Sequence, residues 1–212
     1  MTGKATPPGM PLRSGSGLEY RFDPGALSFE LLVTGGPDWM ARWEVLHAPE
    51  DLRRWAGQCR LDPTPALELG PADVRAARTV RDALWRICLA RVAGEAPAPD
   101  GLAALNAAAA VPPLIPRLAP ESTTVGWAEP ATGAHLLSTV ARDAIAVLTG
   151  PHADRIRICA GENCSLLYVD TSRPGRRRWC AMENCGNRHK VRAHRAHRAH
   201  RAHRARQTPE GT

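Results

Sequence analysis

The 212-residue sequence predicts an α+β fold with a mainly helical N-terminal domain and a few short strands, followed by a small cysteine-rich module and a basic C-terminal helix. Three observations predict this fold. Apolar residues recur at three- and four-residue steps over residues 71–92 and 131–148, as in amphipathic helices. Short alternating runs, such as residues 155–159, indicate strands. Four of the six cysteines form two equally spaced pairs near the C-terminus.

The paired cysteines are Cys159 with Cys164 and Cys180 with Cys185, and fifteen residues separate the two pairs. Zn²⁺ prefers four thiolate or imidazole ligands in a tetrahedron, which two such knuckles can supply. The segment is too small to build its own core, so a metal has to hold it together. We therefore expect one zinc ion per chain, in a closed structural site rather than in an enzyme active site.

Disulfide, redox and iron–sulfur chemistry are the alternatives for these cysteines. The N-terminal residues do not resemble a secretion signal, so we expect a cytoplasmic protein, and a reducing compartment favours metal over disulfide. The other two cysteines are isolated. Cys88 lies on an apolar helical pattern and is expected to be a buried small hydrophobe. We assign no chemistry to Cys59.

The first part of the chain gives weaker signals. Residues 1–17 are rich in proline, glycine and serine, and we expect them to be disordered. The alternation of Leu27, Phe29 and Leu31 predicts a strand. A short helix is expected to begin at Pro49.

The helical region that follows is better defined. The helix over residues 71–92 carries four arginines, which we place largely on solvated faces: Arg75, Arg78, Arg81 and Arg86. Asp100 is expected to cap an alanine-rich helix that ends near Ala110. Residues 111–130 contain several prolines and predict one or two short strands or a hairpin. A third helix over residues 131–148 should stop at Gly150.

The cysteine module has an order typical of a treble-clef-like zinc finger. Residues 155–159 and 166–170 predict strands, and residues 176–180 are expected to return from a turn and to complete a hairpin between the knuckles. A basic helix should begin near Cys185. Four copies of Ala-His-Arg follow from Ala193, and their three-residue period leaves no apolar stripe for packing on a core.

Charge is distributed unevenly along the chain. Residues 1–154 have 14 basic and 17 acidic side chains, whereas residues 155–212 have 14 basic and 4 acidic ones, a net charge of +10. Thirteen of those 14 are arginines, which can fork onto a phosphate or a guanine edge. The pattern predicts a polyanionic partner, DNA or, as an alternative, RNA. No apolar run is long enough to span a membrane.

Candidate nucleic-acid contacts lie in two places. The turn before the second cysteine pair carries four arginines whose alternative role is structural pairing with Asp170: Arg173, Arg176, Arg177 and Arg178. The start of the basic helix carries the best candidates for DNA contact: Asn187, Arg188, Lys190, Arg192 and Arg195. For Asn187, a hydrogen bond to a thiolate or to the backbone is the favoured role. Gly186 should allow a tight approach of the second knuckle to the helix.

The module resembles the CGNR zinc-finger family. The matching residues are the cysteine spacing, Asp170-Thr-Ser, Arg176-Arg-Arg-Trp-Cys, and Cys180-Ala-Met-Glu-Asn-Cys-Gly-Asn-Arg followed by Lys190-Val-Arg-Ala-His. The upstream part resembles the ABATE domain through Gly25-Ala-Leu-Ser-Phe, Asp51-Leu-x-x-Trp55, Arg81-Asp-Ala-Leu and Ala141-Arg-Asp-Ala. It departs from that pattern at Val33-Thr34, where Asn-Thr is usual. The resemblance implies a bacterial, stress-linked transcription regulator with a zinc-binding C-terminus.

These observations divide the chain into a disordered N-terminus (1–17), an α+β body (18–150), a zinc module (151–192) and a basic tail (193–212). The function we expect is DNA-binding transcriptional regulation by a homodimer, with the body as a small-molecule sensor or dimerisation unit. Three alternatives remain: an RNA-binding protein, a redox sensor that uses its zinc thiolates, and an enzyme with a pocket near residues 123–127.

Overall fold

A computed structural model describes residues 9–118 and 124–207 and has the α+β architecture expected from the sequence. Within these ranges the α-helices are α1 Leu27–Leu31, α2 Pro49–Ala56, α3 Pro71–Ala93, α4 Pro99–Ala110, α5 Gly133–Thr149 and α6 Asn187–Gln207. The short strands form two-stranded sheets: β1 Met10–Arg13 with β2 Glu19–Phe22, β3 Leu67–Glu68 with β6 Ala131–Thr132, β4 Pro116–Leu118 with β5 Val125–Trp127, and β7 Ile156–Ile158 with β8 Leu167–Val169. No described helix is long and apolar enough to cross a membrane.

The disorder expected for residues 1–17 is wrong for part of that segment. Residues 1–8 lie outside the described part of the chain, but β1 pairs antiparallel with β2, so residues 10–13 are not disordered. Composition misled the prediction, because Met10 is buried in the core despite its proline and glycine neighbours. Tyr20 and Phe22 of β2 are buried as well.

The strand predicted at Leu27, Phe29 and Leu31 is also wrong, because these residues form α1 and lead into a 3₁₀ turn at Leu32–Thr34. Every residue of α1 is buried, including the intervening Ser28 and Glu30. A run that is buried on all sides has no periodic contrast between faces, so five residues cannot distinguish a helix from a strand.

The body is built on three helices that follow the sequence prediction closely. Helix α3 begins after Gly70 and ends before Gly94, which adopts a left-handed φ of 75° that favours glycine. Helix α4 ends at Ala110 as expected, but Asp100 is not its cap, since the helix already begins at Pro99. Helix α5 starts two residues later than expected because Ala131–Thr132 pairs with β3, and Gly150 follows its end.

The proline-rich segment forms the expected hairpin, in which β4 pairs antiparallel with β5. Trp127 of β5 packs on the core, and its Nε1 donates a hydrogen bond to the Pro63 carbonyl oxygen at 2.6 Å. Residues 119–123, which lie between the two strands, are outside the described chain. They include Thr123, one end of the pocket considered from the sequence.

The solvated face predicted for the arginines of α3 fails at Arg81, whose side chain is only 1% exposed. Its Nη1 and Nη2 donate to the two carboxylate oxygens of Glu44 at 2.8 and 2.7 Å, and its Nε donates to Asp82 at 2.9 Å. Residues 38–44 fold over α3 and bring Glu44 to the arginine, which helix periodicity alone cannot reveal. Cys88 on the same helix is buried, as expected.

The zinc module is packed directly on this body. Ile156, Leu167 and Val169 of its hairpin share one apolar cluster with Phe29 and Leu84. The backbone N–H of Val169 also donates to the carbonyl oxygen of Pro24 at 2.9 Å. The hairpin strands are β7 and β8, so the expected return at residues 176–180 is wrong: that segment is irregular and the first cysteine pair lies inside the hairpin connection.

Candidate metal centre and nucleic-acid interface

The first cysteine pair is shaped by the connection between β7 and β8. The N–H of Cys159 donates to the carbonyl oxygen of Leu166 at 3.0 Å and extends the ladder beyond β7. Gly161 lies in this connection, and a Cβ at that position would be 2.6 Å from the Sγ of Cys185. Only glycine therefore allows the two knuckles to approach this closely.

The second pair begins where the chain returns to the first knuckle. The N–H of Ala160 donates to the carbonyl oxygen of Arg178 at 2.9 Å, which places Cys180 beside the first pair. A π-helical turn, Met182–Gly186, then carries Cys185 to the start of α6. A Cβ on Gly186 would be 2.8 Å from the Sδ of Met182, which explains the tight approach expected at this glycine.

The four cysteines converge on one point. Their sulfur atoms all lie within 4.8 Å of one another, and those of Cys164 and Cys180 are 3.9 Å apart. Four sulfurs held about 2.3 Å from a tetrahedral zinc lie about 3.8 Å from each other, so the cluster fits the metal. Cys159, Cys180 and Cys185 are buried, as expected of a closed structural site for one zinc ion.

The electrostatics of the cluster also fit a divalent cation. Hydrogen bonds from the thiols of Cys164 and Cys180 lower the pKa of Cys159, whose sulfur also accepts from the N–H of Cys180 at 3.2 Å. Burial and the neighbouring charge of Cys159 raise the pKa of Cys185. One thiolate can therefore be held by protein groups alone, whereas four adjacent thiolates need a positive charge among them.

The side chain of Arg177 fixes the backbone around the second cysteine pair. Its Nε donates to the carbonyl oxygen of Trp179 at 2.9 Å, its Nη1 to that of Asp23 at 2.8 Å, and its Nη2 to that of Cys180. The guanidinium also lies 4.3 Å from the centre of the buried Tyr168 ring. The structure therefore gives this arginine a structural role, in which its donors are committed to the backbone.

Asp170 orders the same turn. Pairing with this carboxylate is the structural role that the sequence offered as the alternative for the arginines of the turn. Asp170 is fully buried, and its Oδ2 accepts from the backbone N–H of Arg177 at 2.8 Å. Its Oδ1 accepts from the N–H and the hydroxyl of Ser172. Burial opposes the charged form, but these hydrogen bonds outweigh it and lower the pKa of the carboxyl. The pairing is with the backbone of Arg177 rather than with its side chain.

The remaining candidates for nucleic-acid contact are all exposed. Three lie on the turn before the second knuckle, namely Arg173, Arg176 and Arg178. Five lie on the first turns of α6: Asn187, Arg188, Lys190, Arg192 and Arg195. Asn187 Nδ2 donates to the Glu183 carbonyl oxygen at 3.4 Å, which is the backbone role expected of it. Arg192 forms an ion pair with Glu162 of the first knuckle.

The structure adds two basic residues to this set. At 100° per residue, Lys190 and Arg201 lie on the face of α6 opposite Arg188 and Arg192, and Arg198 lies at the edge of that face. Arg198 and Arg201 are exposed, and helical phase at the end of the module could have identified them in the sequence. The interpretation of the repeat as a general basic tail hid their common face.

Together, the fold and the four clustered cysteines define a helical α+β protein that carries a structural zinc finger at its C-terminus. Family models match two regions: ABATE, described as "Putative stress-induced transcription regulator", over residues 25–151, and the CGNR zinc finger over residues 155–207. The ABATE match covers more than half of the chain, which therefore belongs to the ABATE family and ends in a CGNR zinc finger. No curated protein matches the chain.

Proposed function

We propose that this protein is a non-catalytic, DNA-binding transcription regulator that contacts DNA through its zinc module and α6. The observation that carries the proposal is the position of α6, which leaves the zinc site directly and has no buried side chain from Asn187 to Arg198. Its 21 residues make a rod about 30 Å long. A helix of this kind fits the DNA major groove, which is about 12 Å wide.

The outward face of the helix provides the base-reading side. Lys190 and Arg201 share this face, Arg198 borders it, and all three are exposed. In contrast, Arg192 is paired with Glu162 and stabilises the junction between the helix and the first knuckle. We therefore expect the outward face to enter the groove and the zinc site to set the direction of the helix.

Contacts with the DNA backbone are expected from the turn and from the tail. Arg173, Arg176 and Arg178 are exposed beside the second knuckle, and the net charge of +10 over residues 155–212 adds a sequence-independent attraction. Each phosphate that such a residue neutralises releases counterions, so binding should weaken steeply with salt.

The aromatic residues of the module favour duplex DNA over single-stranded RNA. Trp179 is half-buried, and its ring lies 4.8 Å from that of His189 and 5.1 Å from the guanidinium of Arg178. Tyr168 is fully buried. The Tyr168 ring is inaccessible and the Trp179 ring is partly covered by these neighbours, whereas RNA-binding modules stack unpaired bases on exposed aromatic faces.

The body is assigned a regulatory part in this proposal, as sensor or dimerisation unit. A single small module rarely gives tight specific binding, so we expect a homodimer that reads two half-sites. Four cysteine ligands leave no open metal position for a substrate, which supports a non-catalytic zinc.

The test is a fluorescence anisotropy titration of duplex DNA with tag-free, zinc-loaded protein at several salt concentrations, with structured RNA as competitor. We expect a strongly negative salt slope and preference for the duplex, and sedimentation should show a dimer at micromolar concentration. Preferential binding of RNA would replace DNA as the partner. Absence of saturable binding to either nucleic acid would overturn the proposal.

A further inference from the structure

A cleft of about 450 Å³ lies between the body and the zinc module. Trp39, Trp43 and Trp55 line it on the side of the body, and Ser165 and Arg188 line it on the side of the zinc site. Its volume falls in the range of about 300–1,000 Å³ that is typical of small-molecule sites, which often lie where two structural units meet.

The body side of the cleft offers flat aromatic surface. Trp39 and Trp43 are 48% and 52% exposed, which is unusual for such large apolar side chains. Trp39 is oriented by an edge-on contact with Trp85, their ring centres 6.3 Å apart, and the guanidinium of Arg42 lies 5.2 Å from its ring. The same guanidinium lies 5.5 Å from the centre of the Trp43 ring, so Arg42 contacts both indoles. The exposed indole surface that remains on this side of the cleft favours a planar aromatic guest.

The polar groups of the cleft favour an anion. Asp51 is the only carboxylate among the described residues that line it, and its oxygens already accept from the N–H groups of His47 and Ala48 and from Arg54. In contrast, Arg188 makes no hydrogen bond or ion pair with any residue in the described ranges 9–118 and 124–207. The negative charge of the zinc thiolates balances much of the positive charge of the arginines around the cleft. The preference for an anion therefore comes from the guanidinium N–H groups of Arg188, which are unpaired within the described chain, and not from the net charge.

We propose that this cleft binds a planar aromatic molecule that carries a carboxylate or a phosphate, with the rings against Trp39 and Trp43 and the anionic group on Arg188. Arg188 lies on the side of α6 away from Lys190 and Arg201, where it can contact a DNA phosphate at the edge of the groove, so a bound anion withdraws it from DNA. Ligand and DNA then weaken each other's binding by the same factor. This coupling rests on the proposed function, whereas the ligand site does not.

The ligand site is tested by isothermal titration calorimetry of the full-length, zinc-loaded protein with 2-naphthoate and 1-naphthyl phosphate. The neutral 2-naphthalenemethanol serves as the matched control ligand. We expect one anion per chain, bound about tenfold more tightly than the alcohol because the guanidinium hydrogen bonds are charge-assisted. The anion that binds more tightly identifies whether the site prefers a carboxylate or a phosphate.

Three variants locate the binding. Arg188→Gln should weaken anion binding about tenfold and leave the alcohol unchanged. Trp43→Ala should weaken the anions and the alcohol alike, by about fivefold, because both kinds of ligand pack their rings on the same indole. Arg195→Gln is the control, because it removes an exposed helix arginine that does not line the cleft. It should change neither the affinity for the anions nor the affinity for the alcohol.

Failure of both anions to bind at millimolar concentration, or binding that neither Arg188→Gln nor Trp43→Ala weakens, would overturn the ligand site. Binding gained only when residues 1–8 are removed would assign the cleft to that segment instead, and binding that disappears on dimerisation would assign it to a second copy of the chain. Either result also overturns the proposal.

The coupling has a separate readout, the affinity for duplex DNA with and without a saturating anion. We expect the anion to weaken DNA binding about fivefold in the unaltered protein and not in Arg188→Gln, since the anion competes with DNA for the charge-assisted hydrogen bonds of that one arginine. An unchanged DNA affinity would overturn the coupling alone. If the protein binds the anion but no DNA, the proposed function fails and the ligand site stands.

Discussion

The Nη1 atom of Arg177 donates a hydrogen bond to the carbonyl oxygen of Asp23, 2.8 Å away and 154 residues earlier in the chain. This hydrogen bond joins the turn before the second knuckle to the end of β2. Phe22 and Tyr20 of the same strand pack in one cluster with Cys159 and Cys180. The zinc site is therefore built against the N-terminal hairpin and is stabilised by the body as well as by its metal.

Replacing Arg177 with alanine should destabilise the protein by about 2–4 kcal/mol, because three carbonyl groups lose their donor. Urea denaturation followed by circular dichroism measures the change. The control is Arg176→Ala, an exposed neighbour whose replacement should cost no more than about 0.5 kcal/mol. Equal costs for the two variants would contradict a structural role for Arg177.

Cys180→Ser should lower the zinc content from one ion per chain to well below one, and the module should lose its fixed structure, because zinc binding stabilises so small a segment. Metal analysis of tag-free protein measures the content. Cys59→Ser is the matched control, since Cys59 lies outside the cluster and should leave zinc unchanged. A full complement of zinc in Cys180→Ser would argue against four-cysteine ligation.

Gly161→Ala should weaken zinc binding by at least about tenfold, as changes around a metal's ligands commonly do. The added Cβ would lie 2.6 Å from the Sγ of Cys185, so that ligand has to move. Competition with a chromophoric chelator measures the affinity. Gly126→Ala, whose nearest neighbour would be 3.9 Å away, should bind zinc normally.

Stability should depend on the charge of Glu44. Burial opposes ionisation of this carboxyl, but hydrogen bonds from Arg81 outweigh it and lower its pKa. A lowered folded-state pKa gives stability that is present above the unfolded pKa, about 4.3, and is lost as pH falls through the folded value. Glu44→Gln should cost about 3 kcal/mol at pH 7, because the buried Arg81 loses its bidentate carboxylate partner and keeps the single hydrogen bond from its Nε to the carboxylate of Asp82.

The pH test compares the free energies of unfolding of the original protein and Glu44→Gln in urea at neutral and acid pH. Their difference should shrink as the pH falls below about 4. Glu50→Gln, on the exposed side of α2, should show little difference at either pH. A difference between the original protein and Glu44→Gln that is independent of pH would contradict the assignment.

The outward face of α6 should account for a measurable part of DNA binding. Replacing both Lys190 and Arg201 with glutamine should weaken binding and reduce the salt slope by about 0.9 for each phosphate that is no longer neutralised. Arg86→Gln on α3 is the control, an exposed arginine of the body. An unchanged slope in the double variant would exclude these two residues as phosphate contacts.

Elements with a strong local signal were predicted well. Helix α3 could be assigned because its buried residues repeat with the helical period, and glycines mark both of its ends. In contrast, α1 has buried residues on every side, so its period is hidden. The pairing of β8 with β7 was missed because the sequence allowed β8 to pair with the segment before it or with the segment after it. The partner is decided by packing against Phe29 and Leu84.

The sequence alone is enough to assign the zinc ligands, because thiolate chemistry and cysteine spacing are local properties. It also separates the basic C-terminal part from a body of nearly neutral charge. Only tertiary packing decides that Arg81 is buried, that Arg177 supports the knuckle, and that a cleft joins Trp39 to Arg188. Burial and charge pairing depend on segments far apart in the chain, and no local pattern records which of them will meet.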